Sequence, residues 1–215
     1  MKFLSAAALA CVVIVAAGAV RPAEAETVRQ LVYRVMHTTY GDIGTYSNTV
    51  AAAGDTTTVK TSVHFKVSVL GMVMHRQDAE RTERWKGNRL VYFHGVTDKN
   101  GKVTEINGEA RGDDFVITSP FGTIKAPASI RPANPWSLNS LQTNAMMRVD
   151  TGKVEAVRVG GGHETMVQIG GIAIPTREYQ IGGTQHFKVW MDRHDVPVKF
   201  AVDEEGGQVV FSLQR

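Results

Sequence analysis

Cysteine is almost missing: one in 215 residues, Cys11, and it sits inside the apolar N-terminal stretch. A chain that starts downstream of that stretch has no disulfide, no thiol nucleophile and no cysteine-ligated zinc. Prolines number only 7 against 21 glycines, which excludes a proline-rich linker and points to many tight turns. Charge of one sign is scarce too. The formal net charge is +3, and no Lys/Arg-rich run supplies a footprint for nucleic acid or for an anionic membrane. With 43% hydrophobic and 21% charged residues, disordered and fibrous classes are excluded, and one sizeable core is affordable.

Long apolar runs are absent except at the start. Met1-Lys2 gives a short positive beginning, and Leu4 to Val20 is apolar apart from Ser5 and Gly18. Ala23-Glu24-Ala25 is a small-x-small cleavage signal. The stretch falls short of the roughly 20 apolar residues of a membrane anchor, and Pro22 follows it. Residues 1–25 are therefore expected to be a secretory signal peptide cleaved after Ala25, leaving no transmembrane anchor and a single domain over 26–215. Cleavage removes Lys2, Arg21 and Glu24, which takes the net charge from +3 to +2. A secreted chain of this size without disulfides points to a bacterial periplasm.

From Glu26 onward the dominant signal is alternation of period two. Val59, Thr61, Val63, Phe65, Val67 and Val69 share one face, with Lys60, Ser62, His64, Lys66 and Ser68 on the other, as in a strand with one wet face. Comparable strands are expected over 28–40, 43–52, 90–96, 103–110, 115–118 and 123–126. After a break they resume over 154–159, 165–169, 173–181, 186–191, 198–202 and 209–213. Short Gly-, Asn- and Asp-containing connections such as Lys99-Asn100-Gly101, Gly112-Asp113 and Gly206-Gly207 argue for a meander of hairpins, since parallel strands need long crossovers. Asn134-Pro135 followed by Leu138, Leu141, Ala145 and Met146 predicts one short helix near 136–147. The expected fold is all-β: a strongly curled antiparallel sheet of about 12 strands, a barrel or half-open clam, because an open sheet of that size curls.

Catalytic and metal motifs fail on their own chemistry. Asp98-Lys99-Asn100-Gly101-Lys102 starts like a calcium loop, but Lys102 and Val103 occupy the fifth and sixth positions, where an oxygen ligand and a glycine are needed; a hairpin turn is expected instead. His163-Glu164 lacks the second histidine of a zinc protease helix, since residue 167 is Val167. Gly160–Gly162 is expected to be a flexible hairpin tip. Neither a nucleophile elbow nor a phosphate-binding glycine loop occurs. No cofactor and no metal ligand set is expected.

The most unusual stretch is Arg76-Gln77-Asp78-Ala79-Glu80-Arg81-Thr82-Glu83-Arg84. As a strand it places Arg76, Asp78, Glu80, Thr82 and Arg84 on one face, and Gln77, Ala79, Arg81 and Glu83 on the other. One reading is a solvated strand carrying cross-strand ion pairs. Another is the polar wall of a ligand cavity in which Arg76 or Arg84 receives an anionic headgroup or carboxylate, with Glu80 beside them. A helix with pairs four apart is a third. Of the three tryptophans, Trp136 stands out as a ligand contact because it flanks the long Pro-containing connection, where a barrel would open.

Arg81-Thr82-Glu83-Arg84-Trp85-Lys86-Gly87-Asn88-Arg89-Leu90, followed by Thr97-Asp98-Lys99-Asn100-Gly101, resembles a run found in a secreted bacterial family, the domain of unknown function numbered 6134. Asn134-Pro135-Trp136, Asp150-Thr151-Gly152, Val189-Trp190-Met191-Asp192 and Val196-Pro197-Val198 resemble its later landmarks. The resemblance implies a periplasmic, mostly β domain and carries no catalytic residues. More remotely, the architecture resembles lipoprotein carriers, whose curved sheet wraps a helix. Three functions follow in order: a periplasmic, non-catalytic carrier of an apolar or amphipathic, lipid-like ligand; a cell-envelope structural or interaction module with a filled barrel and a protein partner; and a hydrolase or isomerase. The candidate ligand-binding residues are Arg76, Glu80, Arg84 and Trp136, and no nucleic-acid partner is expected.

Overall fold

A computed structural model describes residues 26–214 except 185 and 205; the expected leader, 1–25, lies outside the described residues. Eight strands run in succession: β1 (Thr27–His37), β2 (Gly41–Ala53), β3 (Thr56–Val69), β4 (Met72–Lys86), β5 (Arg89–Lys99), β6 (Lys102–Arg111), β7 (Asp114–Ser119) and β8 (Gly122–Pro127). A strap over 128–157 follows, carrying β9 (Arg131–Pro132), a 3-10 turn (Leu138–Leu141), β10 (Ala145–Met147) and β11 (Val154–Ala156). Five more strands complete the chain: β12 (Arg158–Ile169), β13 (Ile172–Gly182), β14 (Phe187–Met191), β15 (Pro197–Glu204) and β16 (Gly207–Leu213).

Thirteen of these form one antiparallel sheet in the order β12-β13-β14-β15-β16-β1-β2-β3-β4-β5-β6-β7-β8. The last strand pairs with the first, Tyr33 opposite Leu213, so two meanders are joined edge to edge near the chain's two ends. The ladder does not close by hydrogen bonds between β8 and β12; the strap links those two edge strands. The fold is thus all-β and barrel-like, as the alternation and turn spacing imply.

Burial follows the alternation. In β3, Val59, Thr61, Val63 and Val67 are buried while Lys60, Lys66 and Ser68 face water. One apolar cluster gathers Tyr33, Tyr46, Phe200 and Phe211, the last two stacked at 4.1 Å; another gathers Trp85, Phe93, Ile106, Phe115 and Ile117. The strap serves both: Leu141, Met146 and Val157 pack into the first, Ile130 and Met147 into the second. The middle of the barrel is therefore filled by the chain's own long connection.

Two local expectations are corrected. The helix near 136–147 is a single 3-10 turn, and 145–147 is a strand paired with β9 and β11. Side chains along this stretch bond locally instead of leaving the backbone to a helix: Ser140 donates to the Ser137 carbonyl, and Thr143 Oγ1 both donates to the Ala145 carbonyl and accepts its N–H. Gly160–Gly162 is not a tip but lies inside β12, with Gly161 opposite Tyr179 and a bulge before His163. Gly161 has φ +106, and a Cβ there would stand 2.5 Å from the Glu178 carbonyl oxygen, so only glycine fits the bulge.

Candidate functional site

The charged strand β4 splits as its alternation requires. Arg76, Glu80 and Arg84 occupy its exposed outer face. There Arg76 donates to Asp78 at 2.7 Å, Asp78 meets His64 at 2.9 Å, Ser62 donates to Glu80, and Arg84 lies over the Tyr92 ring at 4.1 Å. This is a cross-strand polar ladder in water. Trp136 lies elsewhere, edge-on to Trp85 inside the barrel, with ring centroids 5.7 Å apart. The four residues singled out from sequence are not brought together.

The opposite face of β4 carries the unexpected chemistry. Asn48, Thr61, Arg81 and Gly95 stand in one row across β2, β3, β4 and β5, with Val50, Val59, Glu83 and Phe93 in the next. Gly95 makes room for Arg81: a Cβ at 95 would lie 3.3 Å from Arg81 Cγ. Onto these rows the strap lowers Asn134. Its Oδ1 accepts from Tyr46 Oη at 2.5 Å and Asn48 Nδ2 at 3.0 Å, and its Nδ2 donates to Thr61 Oγ1 at 3.1 Å and Glu83 Oε1 at 2.7 Å. Glu83 Oε2 accepts from Trp85 Nε1 at 2.9 Å, and Thr61 donates to Asn48 at 2.7 Å.

Every member of this network is buried, Glu83 and Asn48 completely. Burial pushes the Glu83 carboxyl up to about 7, against the hydrogen bonds from Asn134 and Trp85 and the neighbouring Arg81, which pull it down. Burial likewise lowers the Arg81 guanidinium, whose Nε has no hydrogen-bond partner among the described residues. The network is a latch that pins the strap to the concave face. A second latch is Arg131, which donates to the carbonyls of Ser129, Ile130 and Asn88 and lies over the Trp85 ring at 5.0 Å. The sequence signal was available in β4: Arg81 and Glu83 share their face with Ala79 and Trp85, the apolar members of the strand.

Access to solvent survives where the strap meets β12. An open groove of about 640 Å³ has an apolar floor of Leu138, Leu141, Val157, Val159 and Tyr179, and its polar margin is Gln142, Thr143, Asn144 and Arg158. Beyond Arg158 a second hollow of about 450 Å³ includes Ile181, Phe187, His186, Lys188 and Asp203. Arg158 borders both and makes no ion pair among the described residues.

The sequence profile of the family described as "Domain of unknown function (DUF6134)" matches residues 33–214. The chain belongs to this family. Its matched span runs from β1 through the strap to the end of β16, so the latch residues and the groove all lie within the family domain. No curated protein sequence matches. Among solved structures, one described as a β-barrel-like protein of domain of unknown function DUF1849 from Brucella abortus superimposes with a TM-score of 0.65 at 11% identity, covering 87% of this chain and 96% of that one. That likeness is one of fold. It shows the barrel-like architecture in a second family.

Proposed function

We propose that the protein is a non-catalytic binding module that shelters the apolar part of an amphipathic, anionic molecule in the groove beside β12. The observation that carries this is the groove itself: an apolar floor, about 640 Å³ of space, and at its margin Arg158, which makes no ion pair among the described residues. That volume falls within the roughly 300–1,000 Å³ of small-molecule sites, and an apolar lining with few polar groups is their usual chemistry. A single acyl chain or comparably slim apolar group is the occupant we infer, because the strap's own side chains pack into both apolar clusters. The working place we infer is the periplasm, from the leader expected over 1–25.

The test is a fluorescence titration with N-phenylnaphthylamine followed by displacement with a fatty acid. Val159→Arg, which places a charge on the floor, is expected to weaken probe binding at least tenfold. Arg158→Ala is expected to leave the neutral probe unaffected and to weaken the fatty acid about tenfold. Absence of probe binding, or unchanged binding by Val159→Arg, overturns the reading.

The packed middle favours a second reading, an interaction module of the cell envelope. Its sign would be a specific protein recovered with the wild type from its host while neither probe nor fatty acid binds.

A further inference from the structure

The β3–β4 hairpin outruns its neighbours. Pairing of β3 with β2 ends at Phe65 opposite Gly44, and pairing of β4 with β5 starts at Gln77 opposite Lys99. In the strand ladders residues 66–76 pair with each other, from Lys66 opposite Arg76 to Val69 opposite Met72, and only Arg76 at the base also bonds to the β5–β6 turn. Val67 still packs into the first apolar cluster, so the part of this finger that stands clear of the core is the tip over residues 68–74. The tip breaks the alternation that governs the rest of β3. Val69, Leu70, Met72, Val73 and Met74 are all exposed, so beyond Val67, the last residue of β3 that packs into the core, both faces of the tip are apolar.

Leu70 is the sharpest case. It is 94% exposed and sits at φ 52 beside Gly71 at φ 81, the first central position of a tight hairpin turn. Asn, Asp or Gly is the ordinary occupant there. Leucine there carries a backbone strain in any surroundings, and in water its apolar side chain is left unburied as well. The pattern is explained if the tip does not stay in water.

The surroundings of the finger are cationic. Arg76 N donates to Asn100 Oδ1 at 2.8 Å and Asn100 N donates to the Arg76 carbonyl at 3.0 Å, which ties the β5–β6 turn, with Lys99 and Lys102, to the finger's base beside Lys66. Against these four cations stand Asp78, engaged with Arg76 and His64, Asp98, which accepts the Gly101 N–H, and Glu204, which faces His75. No carboxylate of the described residues pairs with Lys66, Lys99 or Lys102. The sequence has no polybasic run; the fold assembles a basic collar from four strands instead. By strand direction, the exposed Tyr40 and Phe121 and the groove-lining start of β12 lie at this same end of the sheet.

We propose that residues 66–76 form a membrane-docking finger, inserting Leu70 and Met72 into the interface of an anionic bilayer while Lys66, Lys99 and Lys102 meet lipid phosphates. A protein partner is a poorer match. A ribbon tip cannot supply the roughly 800 Å² per side of a standard interface, and this one has no aromatic or arginine anchor at its apex. An apolar group reaching about 5–10 Å into the headgroup boundary, flanked by cations, is the usual geometry of interfacial membrane binding. The proposal does not rest on the groove.

The test is co-sedimentation of the protein with vesicles of phosphatidylglycerol and phosphatidylethanolamine, and with phosphatidylcholine vesicles. The wild type is expected to bind the anionic vesicles, less so at high salt, and the neutral ones at least tenfold more weakly. Leu70→Glu/Met72→Glu and Lys66→Glu/Lys99→Glu/Lys102→Glu are each expected to lose tenfold or more while melting normally, because the altered side chains are exposed, and to keep probe binding in the groove. A wild type that ignores anionic vesicles overturns the proposal. So do a Leu70→Glu/Met72→Glu variant that binds like wild type, and a wild type that self-associates through the tip without binding vesicles.

Discussion

Truncating Asn134 to alanine removes the side chain through which the strap hydrogen-bonds to the inner rows of the sheet. The amide uses its full capacity, two bonds accepted and two donated, at a position only 2% exposed. Without it the Tyr46 hydroxyl and the Asn48 amide lose an acceptor and Glu83 loses a donor, whereas Thr61 keeps its bond to Asn48. Each buried group left short costs about 1–3 kcal/mol, and a water entering the vacated space recovers part, so the expected loss is about 3–5 kcal/mol. For a domain of this length that lowers Tm by roughly 10–15 °C. Urea and thermal unfolding followed by circular dichroism measure it, with hydrogen exchange showing whether residues 128–157 lose protection first. A loss under about 1 kcal/mol, with the strap still protected, would refute the latch.

Glu83 supplies a second prediction. Its carboxyl is raised by burial from 4.5 to about 7, so its contribution to stability is fully present below about pH 4.5 and is lost as pH rises through 7. At about 1.4 kcal/mol per pK unit, the stability of wild type minus that of Glu83→Gln should fall by roughly 3 kcal/mol between pH 4.5 and 8. A flat difference in urea midpoints across that range contradicts the assignment. Gly161→Val forces a side chain against the Glu178 carbonyl and is expected to cost about 2–3 kcal/mol and to weaken probe binding in the adjoining groove. Gly182→Ala, with nothing closer than 4.0 Å, is expected to be neutral in the same melts.

Strands were legible because hydrogen-bonded meanders write their register into period-two alternation, and β3 shows it directly: Val59, Val63 and Val67 face inward. The connections were legible where turn chemistry is obligate, as at Asn100-Gly101, where Asn100 has φ 54. Helical spacing misled at 136–147, because Leu138, Leu141 and Met146 reach the core equally well from an irregular strap whose Ser140 and Thr143 bond to nearby backbone. The glycine run misled for a similar reason: a bulge within a strand and a hairpin tip both demand positive φ. In β4 the two faces were separable from sequence, yet which face turned inward depended on Trp85 and Ala79 outweighing Arg81 and Glu83. What made that burial tolerable was Asn134, 51 residues away, and no local pattern announces such a partner. The groove arises where the strap rejoins β12, so its lining is scattered from Leu138 to Tyr179.

The central claim of the proposed function is that small-molecule binding takes place in the groove at the strap's junction with β12, since the strap fills the barrel's middle. Native mass spectrometry of the protein purified from its own host, side by side with Val159→Arg, tests this most directly. The predicted result is one amphipathic molecule of single-chain size on the wild type and none on the variant. A wild type that carries nothing, or a variant that retains the same molecule, would contradict it.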